Sequence, residues 1–179
     1  MSLLVLLGGA RSGKSRLAVE MGTKWAGRAV VIVTAEARDD EMAERIKRHR
    51  AERPPDWDTV EEPLDLEAAL GSVPGDALAL VDCLTLWVSN LLEEGLEDAE
   101  IEELARHSAS AAAARAAETI VVTNEVGSGI VPANAIARRF QDLLGRVNSI
   151  WADASDRTAL VVAGRVLPLQ RPEVLWSER

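Results

Sequence analysis

The sequence predicts an α/β fold in which a mostly parallel β-sheet is flanked by helices on both faces. Five short apolar runs predict strands buried on both faces, because such strands carry nearly continuous Val, Ile and Leu. Longer segments with helical periodicity separate these runs, and this alternation is typical of βαβ units. The 179 residues fit one domain with a sizeable core, so we expect a single domain over residues 1–179.

The predicted elements follow one another along the chain. The strands lie at residues 3–7 (LLVLL), 29–34 (AVVIVT), 77–82 (ALALVD), 119–124 (TIVVTN) and 158–164 (TALVVAG). The helices lie at about residues 14–26, 39–51, 64–71, 84–94, 98–117 and 133–154. A last short edge strand is expected at residues 164–169, at the start of a tail that contains two prolines.

Composition and charge exclude several classes of protein. The formal net charge of -9 and the pI near 4.8 argue against general nucleic-acid binding, because this surface would repel a phosphate backbone. The lone Cys83 excludes a disulfide framework and fits a reducing compartment. The run LLVLL is too short for a signal peptide, and no apolar stretch approaches the ~20 residues of a membrane span. We therefore expect a cytoplasmic protein that holds any anionic ligand at a local site.

The segment GGARSGKS follows the first predicted strand directly and matches the pattern G-x-x-x-x-G-K-[ST]. Its glycines allow successive backbone N–H groups to face phosphate oxygens at the positive end of the next helix. We expect Lys14 to reach the β- and γ-phosphates and the Ser15 hydroxyl to ligate Mg²⁺. A chance glycine turn with a surface lysine is the alternative, and the strand–loop–helix context argues against it. The predicted triphosphate cradle, called the P-loop below, is Gly8, Gly9, Ala10, Arg11, Ser12, Gly13, Lys14 and Ser15.

A P-loop needs an acidic residue at the end of a neighbouring strand to hold the water shell of the magnesium ion. Asp82 ends the strand ALALVD and occupies such a position. The alternative is that Asp82 caps the helix that starts near Leu84. Glu125, just after the next strand, is a further acidic candidate, although the glycines that follow it are equally compatible with a simple tight turn.

The stretch RIKRHRAER places five basic side chains around His49. At helical spacing Arg45, His49 and Arg53 share one face. Neighbouring guanidinium groups disfavour a positively charged ring, so we expect a neutral imidazole that can attack an α-phosphate and form a nucleotidyl-histidine. An ordinary solvated helix with favourably placed charges is the alternative, and the residues alone favour neither interpretation over the other. His107, on an alanine-rich helix, is expected to be a surface residue.

Four segments together resemble a known enzyme family. In order, GGARSGKS, TAEARDDEMAERIKRHRAERPPDWDTVEEP, LVDCLTLWVSNLL and TNEVGSGIVP…ARRFQDLLGRVN are similar to the conserved blocks of bifunctional adenosylcobinamide kinase / adenosylcobinamide-phosphate guanylyltransferases. The resemblance runs from about Leu3 to Asn148. It implies a RecA-like P-loop NTPase fold, a homotrimer, and the substrates ATP, GTP, adenosylcobinamide and its phosphate. It further implies phosphorylation of adenosylcobinamide, then transfer of GMP from GTP through guanylylated His49, giving adenosylcobinamide-GDP and pyrophosphate.

The same resemblance implies further nucleotide-site residues. It assigns a GTP-binding role to Glu61 and makes Asp82 the Walker-B-type acid, so that the implied metal residues are Ser15 and Asp82. The other implied nucleotide-binding residues are Val33, Thr34 and Ala35 after the second strand, and Arg50, Ala51, Glu52 and Arg53 beyond the histidine.

The sequence also departs from the family pattern. Ser149 stands where a glutamine is expected, the C-terminal tail is longer than usual, and no N-K-x-D guanine-reading motif is present. Two other functions therefore stay open. A small-molecule kinase with a structural His49 predicts no labelled protein, and a nucleotide-dependent switch predicts binding without group transfer. A nucleic-acid-binding role for the basic helix is disfavoured by the acidic balance.

Overall fold

A computed structural model describes residues 2–176, apart from the side chain of Arg45. The strands are β1 (Leu3–Gly8), β2 (Ala29–Val33), β3 (Asp58–Glu61), β4 (Leu78–Asp82), β5 (Thr119–Asn124), β6 (Arg157–Val162) and β7 (Arg165–Leu169). The helices are α1 (Lys14–Gly22), α2 (Asp40–Ala51), α3 (Leu66–Ser72), α4 (Leu84–Glu93), α5 (Asp98–Ala114) and α6 (Ala135–Ala154), followed by a 3₁₀ turn at Pro172–Leu175. None of the helices in residues 2–176 combines the length and apolar character needed to span a membrane.

The strands form one sheet in the order β3-β2-β4-β5-β1-β6-β7. Strands β1 to β6 pair in parallel, and β7 runs antiparallel to β6 at the edge. This confirms the predicted mostly parallel sheet and the short final edge strand. Because parallel strands end at the same side of a sheet, β1, β2, β4 and β5 bring their carboxyl ends together, which is where ligands bind in open α/β sheets.

The two faces of β1 show how helices cover the sheet. Leu3 and Val5 are fully buried in a core shared with α3, α4, α5 and α6, whereas Leu4 and Leu6 pack on the opposite face with Ala18 of α1. The core on the α3–α6 face also holds Trp87 and Trp151, both fully buried. Helices therefore flank the sheet on both faces, as the continuous apolar strands predict.

Three details differ from the sequence-based expectation. Strand β3 was not predicted, because its four residues DTVE contain one strongly apolar side chain and lie half-exposed at the sheet edge. Strand β6 is buried mainly through Ala159 and Val161, so the prediction that it is buried on both faces is wrong. Helices α1 and α5 end several residues early, at Gly22 and at Ala114, and α5 ends where Arg115 adopts an extended backbone.

Helix α2 stands at the carboxyl edge of the sheet. Its N-cap is Asp39, whose carboxylate accepts a hydrogen bond from Met42 N at 2.7 Å. Most of its side chains are exposed, and its inward-facing Met42 and Ile46 line a cavity next to the strand ends. The helix thus forms a wall of a site more than a part of the core.

Arg115 ties the end of α3 to the turn that leads into β4. Its two terminal nitrogens donate to the carbonyl oxygens of Leu70, Val73, Pro74 and Ala77 at 2.7 to 3.0 Å. Carbonyl groups at a helix end have no partner within the helix, so one guanidinium satisfies several of them at once.

We expect Arg115→Ala to lower the free energy of unfolding by about 2 kcal/mol, because it leaves partly buried acceptors without donors. Urea denaturation of the wild type and the variant measures this change. Arg115→Lys should recover part of the loss, since a single ammonium group reaches fewer carbonyls. A cost below about 0.5 kcal/mol would mean that water replaces the guanidinium at these carbonyls.

Candidate active site

The P-loop connects β1 to α1 in a conformation that requires glycine at two positions. Gly13 has a φ of +99°, a backbone conformation that side chains disfavour. At Gly8, an added Cβ would collide with the carbonyl oxygen of Val161 and lie 2.6 Å from Ser12 Oγ. The predicted strand–loop–helix context is therefore present, with Lys14 and Ser15 opening the helix.

Lys14 lies over the loop and only 8% of it is exposed. Its Nζ donates to the carbonyl oxygen of Gly9 at 3.0 Å. The buried Ser12 Oγ has no hydrogen-bond partner within residues 2–176. An ammonium group and an orphaned hydroxyl around a curled backbone suit an anion with several oxygens, so the loop fits the triphosphate that the motif predicts.

The tip of the β6–β7 hairpin packs against the P-loop. Ala163 and Gly164 at this tip both have positive φ, and Gly164 N donates to Ser12 O at 2.8 Å. An added Cβ on Gly13 would lie 3.3 Å from the Cα of Gly164. The hairpin thus holds the loop in place from outside the nucleotide site.

Two neighbouring cavities open at this edge of the sheet. The first, called the P-loop cavity, is lined by residues 10–16, by Asn124, and by residues of α2 and its C-cap: Glu41, Glu44, Arg48, His49 and Glu52. The second, called the inner cavity, lies between α2 and the ends of β2, β3 and β4, and its walls include Val33, Ala35, Met42, Ile46, Glu61 and Leu86. Among the described residues, four line both cavities: Lys14, Ser15, His49 and Asn124.

Asp82 is one of the two carboxylates that line the inner cavity, the other being Glu61. Its Oδ2 lies 3.1 Å from Arg53 Nη2 and 3.7 Å from His49 Nδ1. Burial works against the charged carboxylate and is the largest single influence. The His49 ring and the Arg53 guanidinium together outweigh burial, so the pKa of Asp82 is lowered. The N-cap of α4 is Cys83, so the alternative interpretation of Asp82 as a helix cap is wrong.

His49 has different neighbours in the structure from those that the sequence predicted. The prediction counted the arginines of the helix, whereas the structure places a carboxylate beside the ring and turns Arg53 toward that carboxylate. The imidazole therefore has an acidic neighbour as well as basic ones. His49 on α2 and Arg53, two residues beyond the end of α2, both face Asp82, whereas the side chain of Arg45, the third member of the predicted face, lies outside the described residues.

The hydroxyl of Thr34 holds the ends of β2 and β4 together. It donates to Cys83 O at 2.7 Å and accepts from Cys83 N at 3.0 Å. The backbone carbonyl of Thr34 accepts from Asn90 Nδ2 at 2.7 Å. Thr34 is fully buried and its side chain serves this junction, while Val33 and Ala35 on either side line the inner cavity.

Cys83 follows Asp82 and also lines the inner cavity. Burial, reinforced by the neighbouring Asp82 charge, raises the pKa of the Cys83 thiol to about 11. The thiol is therefore protonated near neutral pH, where a nucleophilic cysteine would need to be a thiolate. Cys83 thus shapes the wall of the inner cavity and is not a nucleophile candidate.

The other predicted residues lie in different places. Arg50 and Glu61 line the inner cavity, and Glu52 lines the P-loop cavity, whereas Ala51 lines neither. Glu125 accepts hydrogen bonds from Gly127 N at 2.6 Å and from Ser128 Oγ, and so stabilises a tight turn. His107 has a side chain 57% exposed, which confirms it as a surface residue.

Sequence reasoning missed several residues of these cavities. Met42, Ile46 and Thr59 line the inner cavity, yet no motif marks them. Asn124 ends β5 just as Asp82 ends β4, so its position after an apolar run was an available signal. The prediction instead took Glu125, one residue further along.

The site can accommodate Mg²⁺ in the manner of P-loop enzymes. Within the described part of the chain, no three His, Cys, Asp or Glu side chains converge on a metal cage. Mg²⁺ in such sites is held by one or two protein groups, by water and by substrate phosphates. Ser15 and Asp82 both line the inner cavity, so this donor set matches that sparse arrangement.

Comparison with solved structures supports the fold. An ATPase from the type III secretion system of pathogenic bacteria superposes with a TM-score of 0.57 at 11% sequence identity. The match covers 97% of this chain and 60% of that chain. At this identity the likeness shows the α/β P-loop fold alone.

Sequence relatives are much closer. The chain is 41% identical over 174 residues to the bifunctional adenosylcobalamin biosynthesis protein CobP of Pseudomonas aeruginosa, covering 93% of this chain and 96% of the relative. It is 40% identical over 176 residues to the bifunctional adenosylcobalamin biosynthesis protein CobU of Salmonella typhimurium, covering 90% and 96%. A sequence profile described as cobinamide kinase / cobinamide phosphate guanyltransferase matches residues 4–169. The profile match over most of the chain and these relatives show that the chain belongs to the cobinamide kinase / cobinamide phosphate guanyltransferase family.

Proposed function

We propose that this chain, as a single catalytic domain, phosphorylates adenosylcobinamide with ATP or GTP and then transfers GMP from GTP to adenosylcobinamide-phosphate. The products of the second reaction are adenosylcobinamide-GDP and pyrophosphate. The observation that carries the proposal is the position of His49 at the junction of the two cavities. With the β- and γ-phosphates in the P-loop and the base in the inner cavity, the α-phosphate lies at this junction, beside the ring.

The inner cavity suits a guanine base. Its walls include apolar side chains such as Val33 and Met42, against which a purine can stack, and the carboxylate of Glu61. A carboxylate accepts hydrogen bonds and therefore pairs with the N–H groups of guanine. Arg50 and Arg53 on the same wall supply positive charge toward the α-phosphate.

The kinase step depends on positioning and charge neutralisation. The substrate hydroxyl oxygen attacks the γ-phosphorus, the bond to the β–γ bridging oxygen breaks, and the hydroxyl proton passes to water. Lys14 and the loop N–H groups stabilise the charge that develops on the phosphate oxygens. Mg²⁺, held by Ser15 and through water by Asp82, would neutralise further charge on the β- and γ-phosphates. The open P-loop cavity leaves space for a large substrate to approach.

The guanylyl transfer uses His49 as a nucleophile. Because Nδ1 faces Asp82, Nε2 is the nitrogen that attacks the α-phosphorus, while the bond to the α–β bridging oxygen breaks and pyrophosphate leaves. Asp82 orients the ring through its Nδ1–H side. A phosphate oxygen of adenosylcobinamide-phosphate then attacks the same phosphorus, the N–P bond breaks, and the free ring is restored.

The proposal includes a homotrimer working in the cytoplasm. The edge strand β7 and the turn after it expose the apolar side chains of Leu167, Leu175 and Trp176 to 58%, 81% and 60%. Exposed apolar side chains along this segment support a contact between copies of the chain.

Incubation with GTP radiolabelled at the α-phosphate, followed by denaturing electrophoresis, tests the mechanism. The wild type should carry label that is labile in acid and stable in alkali, as a phosphoramidate is. His49→Ala should carry none while still binding GTP, because only the nucleophile is removed. His107→Ala, which removes an exposed histidine, should label like the wild type. Label that persists in His49→Ala would show that another residue is the nucleophile, and an unlabelled wild type would favour a kinase alone.

A further inference from the structure

One residue at the junction of the two cavities has no role in the scheme above. Of the four described residues that line both cavities, Lys14, Ser15 and His49 have assigned functions and Asn124 has none. We propose that Asn124 is a catalytic residue in both reactions, whose side-chain amide donates a hydrogen bond to a phosphate oxygen of the bound triphosphate. This inference rests on the proposed function.

The place of Asn124 in the sheet puts it beside the P-loop. It is the last residue of β5, the strand between β1 and β4. In the β1–β5 register Asn124 pairs with Gly8, the first residue of the P-loop, and Glu125 N donates to Gly8 O at 3.2 Å. Asn124 therefore stands between the loop that cradles phosphates and the strand that carries Asp82.

The backbone of Asn124 is fixed by two buried side chains. Its N–H donates to Thr85 Oγ1 at 2.8 Å, and its carbonyl accepts from Asn148 Nδ2 at 3.0 Å. Asn148 is fixed in turn, because its Oδ1 accepts from Thr123 Oγ1 at 2.7 Å. Thr85 on α4 and Asn148 on α6 are only 8% and 5% exposed. Two helices thus hold this strand end rigidly, which is the property that a preorganised donor needs.

The side-chain amide of Asn124, by contrast, has no hydrogen-bond partner in residues 2–176, where only its backbone groups are engaged. A carboxamide offers two N–H donors and no charge, so it can bind a phosphate oxygen without any change of protonation. A donor that is already in place when charge develops on that oxygen lowers the barrier more than it strengthens ground-state binding. This predicts an effect on turnover that is larger than the effect on nucleotide affinity.

The test compares Asn124→Ala and Asn124→Asp with the wild type. We expect Asn124→Ala to lower kcat of both reactions by about 100-fold, with the Kd for GTP changed less than about threefold. Asn124→Asp keeps the size and shape of the side chain but places an anion beside the phosphates, so its kcat should fall at least as far. Asn134→Ala, at the exposed N-cap of α6, should leave kcat within about twofold.

A kcat for Asn124→Ala within threefold of the wild type would overturn the inference. Thermal unfolding midpoints of all variants show whether a loss of activity comes from the missing amide or from unfolding. If Asn124→Ala does not fold, the near-isosteric Asn124→Asp variant tests the inference instead. Full activity in a folded Asn124→Asp variant would then contradict the inference. Failure of the proposed guanylyl transfer would give a different result, namely a wild type that carries no label. In that case the kinase rates of the Asn124 variants still test the role of Asn124.

Discussion

Replacing Lys14 with alanine is expected to reduce both the kinase rate and the formation of labelled enzyme by about 1000-fold. Lys14 is the ammonium group that covers the P-loop, and it lines both cavities. In the proposed arrangement one triphosphate serves both reactions, with its γ-phosphorus attacked in the first and its α-phosphorus in the second. Removal of the charge that positions this triphosphate should therefore damage the two reactions together.

Steady-state kinetics with adenosylcobinamide, and labelling with α-labelled GTP, measure the two effects of Lys14→Ala. Lys47→Ala is the matched control, because the Lys47 side chain is 80% exposed on α2, and it should behave as the wild type. Guanylylation retained in Lys14→Ala alongside a lost kinase activity would contradict the single site. Such a result would require a second nucleotide pocket.

Replacing Asp82 with alanine is expected to lower the free energy of unfolding by about 3 kcal/mol, since it leaves a buried guanidinium without its counter-charge. The Arg53 side chain is only 8% exposed and lies 3.1 Å from Asp82 Oδ2. The Arg28–Asp58 pair is a matched control: its 2.7 Å contact is shorter, but both side chains are more than half exposed. Asp58→Ala should therefore cost much less stability than Asp82→Ala, because solvent screens an exposed ion pair. Urea denaturation measures both variants, and equal costs would show that burial does not strengthen the Asp82 interaction.

The contribution of Asp82 to the free energy of unfolding should also depend on pH. The folded-state pKa of Asp82 lies below the ordinary value of 3.8, so the stabilising contribution is present above about pH 4 and is lost as the pH falls through the folded-state pKa. Compared with Asp82→Asn, the wild type should lose more stability over this range. Parallel stability curves for the two proteins would show that the carboxylate is not stabilised by its cationic neighbours.

The parts of the fold that depend on strong local patterns could be predicted from the sequence. The runs around Val5, Val31, Leu80 and Val121 are apolar on both faces, and such runs specify central parallel strands. Strand β3 could not be found in this way, because a four-residue edge strand with a half-exposed surface has no such pattern. Its existence depends on pairing with β2, which is a long-range contact.

The candidate site likewise has a part that could be predicted from the sequence and a part that could not. The P-loop is contiguous in sequence, so its residues and their local geometry could be predicted together. The Asp82–His49–Arg53 cluster joins residues that are about thirty positions apart, and the four-residue spacing predicted only that His49 and Arg53 lie on the same side of the chain. The carboxylate beside the imidazole and the amide of Asn124 become neighbours of the P-loop only through the order of the strands.

The strand order has a consequence for biosynthesis. Strand β1, which carries the P-loop, pairs with β5 and β6, whose residues begin at Thr119 and Arg157. On a ribosome adding roughly 5–20 residues per second, β1 waits on the order of ten seconds for both neighbours to be translated. Nascent chains that lack β5 expose both edges of the apolar strand β1, and chains that contain β5 but lack β6 still expose one edge, so the protein needs most protection from aggregation before β6 is translated.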